Sequence, residues 1–197
     1  MPASSACIMM AARMFRTWRD PLSVDNGNWV RHGVGIMLME FMVVHSGGFI
    51  GAYAAGHVDS SPVALLLLSL FYAGFAALMA WVFKSRDLFK YFISLMGGRL
   101  LTVCLPVFRD DAAYLGSRAG VAVLLYICMA FLTVFPLPRG GITTDVADRC
   151  MKGAGGGIWV SFPHRPILAG AIYFFLMGCA ELALPFGLLR MEFSSSD

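Results

Sequence analysis

The sequence predicts an all-α, polytopic integral membrane protein. It reads as one domain over residues 1–197, a bundle of five (alternatively four) transmembrane helices with an amphipathic N-terminal segment. Three observations carry this. First, 58% of the 197 residues are hydrophobic and only 14% are charged, whereas a soluble domain has about 25% charged residues to cover its surface. Second, several windows are long and apolar enough to cross about 30 Å of hydrocarbon, which takes about 20 helical residues. Third, the basic residues collect on alternate connections between those windows, as the positive-inside rule requires.

Residues 1–30 come first. In "MPASSACIMMAARMFRTWRD", Arg13, Arg16 and Arg19 alternate with Met14, Phe15 and Trp18, and no acid precedes Asp20. That pattern suits an interfacial helix on an anionic membrane surface. It does not suit a secretory signal, whose basic residues precede its apolar run. An organellar transit peptide has a similar composition.

The first span is expected at 33–55 and the second at 62–83, which carries no charge and ends near Trp81, an interfacial anchor. The window 88–108 is the element on which the count turns. Its length suffices, but Lys90 lies near one end, Gly97-Gly98 interrupts it and Arg99 is central. A central arginine in hydrocarbon costs from about 2.5 to above 10 kcal/mol unless paired. The remaining spans are expected at 119–138 and 166–189, the last behind "PHRP", with Pro166 in its first turn.

With five spans and the N-terminus inside, eleven of the fifteen Lys and Arg residues fall on the inner side. Four spans give the same inner total, so charge orients the chain without fixing the count. The expected location is a bacterial inner membrane, with an organellar inner membrane as the alternative and the N-terminus on the cytoplasmic or equivalent side.

Four intramembrane polar residues are the candidate site: Glu40, His45, Arg99 and Glu181. Ionisable groups in such segments generally face the bundle interior and pair with one another. Arg99 is therefore expected to pair with Glu181 or Glu40. With four spans, Glu40 and Glu181 would instead lie at one depth and could share a proton or hold a cation. Glu40, Val44, Gly47 and Gly51 share one helical face, and His45, Gly48, Ala52 and Ala55 another. Gly47, Gly48 and Gly51, with Gly178 beside Glu181, are expected to bring other helices close.

Other chemistries find little support. "GAGGG" at 153–157 has no preceding strand and reads as a flexible loop. Five cysteines show no CxxC spacing, so neither a disulfide framework nor a metal site is expected. A net charge of +3 without a basic stripe gives no reason to expect nucleic acid. "VHSGGFIG" resembles the Ser-Gly turn of rhomboid-type intramembrane proteases over those few residues only. Rhomboids have six core spans, and Ser46 is expected to bond back to its own helix.

The leading expectation is a small non-catalytic membrane protein, a subunit of a larger complex or a homo-oligomer, whose partners are lipid and other subunits or copies of itself. The alternative is a small channel or proton-coupled carrier using the four polar groups. A second alternative is a haem-binding or other membrane enzyme subunit. No cofactor is expected under the leading reading; haem b would need His32 and His164, one at the start of each outer span.

Overall fold

A computed structural model describes residues 2–54, 61–83, 86, 88–90, 92–93, 97 and 112–183. The described residues are helical, with turns and loops and no strand. The principal helices are α1 (Pro2–Arg19), α2 (Asn28–Ala54), α3 (Pro62–Val82), α4 (Ala112–Leu132), α5 (Thr144–Met151), α6 (Ile158–Ser161) and α7 (His164–Ala183). Two short 3-10 turns join α1 to α2. Three helical stretches, 25–50, 63–82 and 164–183, are long and apolar enough to cross a membrane.

Local chemistry sets several of these boundaries. Ser61 caps α3 by accepting from the Ala64 N–H at 3.3 Å, and Pro62 occupies the first turn, where no internal donor is lost. Thr143 caps α5 in the same way, accepting from the Val146 N–H at 3.4 Å. The helix expected over 119–138 lies earlier, over 112–132. Pro136 and Pro138 prevent its continuation, and Arg118 lies within the helix and bonds Glu181 of α7. The last span was expected over 166–189; α7 is described to Ala183, and 184–189 lie outside the described residues.

Cross-helix contacts give the directions. Along α2 and α7 the paired positions rise together. A Cβ on Gly33 would lie 3.3 Å from Ile167 Cγ1, and further along Tyr173 bonds Glu40. These two helices are parallel. α3 is antiparallel to α2, since Arg31 reaches the Val82 carbonyl while His45 bonds Tyr72. α4 is antiparallel to α7, pairing Arg118 with Glu181 at one end and Thr133 with Arg165 at the other. Thus α3 and α4 run the same way.

α1 differs from expectation. It does not stand apart from the bundle; it packs lengthwise and antiparallel along α7, its most extensive contact. Ser4, Ala11, Met14 and Thr17 are buried and Cys7 and Met10 partly so, a three-and-four spacing that makes one helical seam. Glycines on α7 admit that seam. A Cβ on Gly170 would fall 2.5 Å from Met14 Sδ, and one on Gly178 2.7 Å from Ile8 Cγ1. The far end of α1 is fastened by Trp18, whose Nε1 donates to the Pro138 carbonyl at 2.9 Å. Gly140 meets it there with φ of +58°, a conformation that glycine adopts without strain.

Candidate functional site

The buried polar groups lie where α1, α2, α4 and α7 meet. Tyr173 is fully buried and its hydroxyl donates to Glu40 Oε1 at 2.7 Å, with Glu40 only 7% exposed. Tyr126 of α4 donates to the Met37 carbonyl of α2 at 2.8 Å. Its ring stands edge-on to Tyr173, with centroids 5.9 Å apart, a favourable aromatic arrangement. Toward the far end of α7, Arg118 Nε donates to Glu181 Oε1. The arginine side chain keeps 21% exposure and the glutamate 3%. Cys7 of α1 is partly buried between Ser4 and Ile8, which face Gly178 at the same end of α7.

Two carboxylates, a guanidinium, two phenols and a thiol therefore share one neighbourhood. Such groups tolerate low dielectric only when hydrogen-bonded, and the three bonds just described each join two different helices. The acids are not level. Tyr173, which holds Glu40, precedes Glu181 by eight residues, about 12 Å of helix rise. α2 and α7 run parallel, so their two carboxylates do not face each other at one level.

Arg99, expected to pair with one of the acids, lies outside the described residues. The cation found at Glu181 is Arg118, one residue before the span expected at 119–138. Arg118 borders an apolar run, and flanking charges normally mark a span's end. Nothing local distinguishes an arginine that faces α7. Tyr173 and Tyr126 were likewise missed, because aromatic residues in apolar helices carry no local sign of a hydroxyl partner.

His45 is on the opposite side from Glu40. Five residues separate them, about 140° around the helix, so one packing face cannot bury both. His45 is exposed. Its Nδ1 is hydrogen-bonded to the Tyr72 hydroxyl of α3, and its ring stacks on Phe41 and meets the edge of Phe49. A Cβ on Gly48 would meet nothing within 4 Å, contrary to its expected packing role. Gly47 is buried on the other face and Gly51 continues the helix. Ser46 donates to the Val43 carbonyl at 3.1 Å, the back-bond expected of an intramembrane serine.

His164 is buried at the start of α7 against the Phe162 ring, and His32 lies partly buried in the second turn of α2, at the same end of the bundle. No group of three or more metal-ligating side chains occurs among the described residues. The chain matches no protein-family model, and comparison with curated proteins and with solved structures finds no similar chain.

Proposed function

We propose that this chain is a non-catalytic integral membrane protein of five spans that works as a subunit of a larger assembly or as a homo-oligomer. The five-span count is supported by the directions of α3 and α4. α3 ends beside Arg31, and α4 begins at the end marked by Arg118 and Glu181. The five-span proposal places a crossing by 88–108 between them, the window on which the sequence count turns. α1 then lies lengthwise beside α7, with its three arginines at the basic end; residues 2–12 carry no charge.

The observation that carries the assembly reading is the outward placement of His45. Measured from Gly33 it lies about 18 Å along α2, well within hydrocarbon, where ionisable groups face protein rather than lipid. The adjoining α3 is the least enclosed candidate span, with 11% of its apolar window buried. A partner helix over His45 and the neighbouring Tyr72 turn of α3 would cover the imidazole. Native mass measurement in mild detergent and in lipid nanodiscs tests this. A complex heavier than one chain is expected, and a lone monomer under both conditions overturns it.

A second reading is favoured by the cluster itself. Arg118 is partly exposed while joined to the buried Glu181, which supports a proton-coupled carrier. Proton flux into liposomes would then collapse in folded Glu40→Gln or Glu181→Gln protein. Unchanged flux in both variants removes this reading.

A further inference from the structure

A cleft of about 920 Å³ opens at the basic end of α3, away from the polar cluster. One wall is apolar, formed by Ala80 and Trp81 of α3 with Phe89. Arg86 and Lys90 bring two cations to its rim, and Gly155 with Gly153 forms the facing loop. No side chain obstructs that loop: a Cβ on either glycine would meet nothing within 4 Å. The two walls are held together by Arg31. Its guanidinium donates to the Val82 carbonyl at 2.8 Å, the Lys152 carbonyl at 3.3 Å and the Gly153 carbonyl at 3.4 Å. α3 and the glycine loop therefore share one anchor.

We infer that this cleft binds the headgroup of an anionic phospholipid, with the phosphate at Arg86 and Lys90 and the acyl chains lying along the exposed apolar side of α3. The inference rests on the membrane reading above. Charge complementarity favours this occupant: basic pockets between spans on the cytoplasmic side select anionic headgroups. Depth agrees with it. Trp81 is 77% exposed at the end of a charge-free span, where indole rings sit at headgroup level. The volume falls in the range of small-molecule sites, about 300–1,000 Å³. Below the cations, Leu70, Leu78 and neighbouring residues of α3 remain exposed, giving the chains a continuous apolar track.

The test is native mass spectrometry of the full chain in mild detergent, offered phosphatidylglycerol or phosphatidylcholine of identical acyl chains. The wild type should retain one phosphatidylglycerol in preference, and each of Arg86→Gln and Lys90→Gln should reduce that preference about fivefold. Arg86→Lys should keep it, and inorganic phosphate should not displace the lipid. Equal retention of the two lipids, or a preference unchanged in both Gln variants, overturns the site while leaving the membrane reading intact. Retention of neither lipid likewise overturns the site. Should the variants fold poorly, brominated phosphatidylglycerol added to wild-type protein provides the second readout. Stronger quenching of tryptophan emission than by brominated phosphatidylcholine is expected, and equal quenching overturns the site.

Discussion

Arg118 of α4 and Glu181 of α7 form an ion pair between two antiparallel helices, with the carboxylate 3% exposed and the guanidinium reaching it from a partly exposed position. Removing one member leaves the other charged in a poorly solvated place. Arg118→Gln is therefore expected to destabilise the bundle by about 3–5 kcal/mol. The double variant Arg118→Met/Glu181→Leu should recover most of that loss, because an apolar pair carries no desolvation penalty. Reversible unfolding in mixed detergent checks both, and additive losses in the double variant would contradict the pairing.

The Tyr173–Glu40 bond is buried on both sides. Tyr173→Phe deletes the donor and keeps the ring, so its expected cost is that of one charge-assisted bond, about 1.5–3 kcal/mol. Phe at 173 also leaves the Tyr126 ring contact in place. The same unfolding assay reads this change, and a stability equal to wild type would show that the hydroxyl contributes nothing.

Gly178 and Gly48 make a matched comparison. A side chain at 178 meets Ile8 and the Ser4 carbonyl, whereas one at 48 meets nothing within 4 Å. Gly178→Ala should push α1 away from α7 and expose Cys7, while Gly48→Ala should leave the packing as it is. Maleimide labelling of Cys7, in protein whose other cysteines are replaced, should become several-fold faster in the first variant only. Equal rates in both would contradict the seam between α1 and α7.

At Gly141 the obstacle is backbone. A Cβ there would lie 2.4 Å from the Arg19 carbonyl oxygen, which cannot move as a side-chain tip can. Gly141→Ala is expected to free the end of α1 from the 138–141 loop, at about 1–3 kcal/mol, the usual cost of overpacking. Trp18 loses its carbonyl partner in the same step. A shift of its emission relative to wild type is the accompanying readout, and unchanged stability and emission would contradict the contact.

Much of the helix inventory is legible in the letters. The uninterrupted apolar run of α3 behind Ser61-Pro62 specifies both its start and its length, and α2 and α7 follow from their apolar windows. What the letters do not give is which helix answers which. The three-and-four spacing of Ser4, Cys7, Ala11 and Met14 is present in the sequence, yet the arginines beside it draw the eye to a membrane surface. Only Gly170 and Gly178, more than 150 residues away, turn that spacing into a packing seam. The acids Glu40 and Glu181 announce themselves as costly residues in apolar surroundings. Their partners Tyr173 and Arg118 do not, because a phenol and a flanking arginine are ordinary where they stand. Direction is a tertiary property too: the basic residues divide equally for four and five spans, and only the contacts of α2 with α7 show that these two helices run parallel.

α3 and α4 run in the same direction, and the five-span proposal has both of them cross the membrane that way. Single cysteines at Ser61, Ala112 and Asp145, labelled with an impermeant maleimide in sealed vesicles of known orientation, test it most directly. The account predicts that positions 61 and 112 react from one side and 145 from the other. Labelling of 61 and 112 from opposite sides would contradict it.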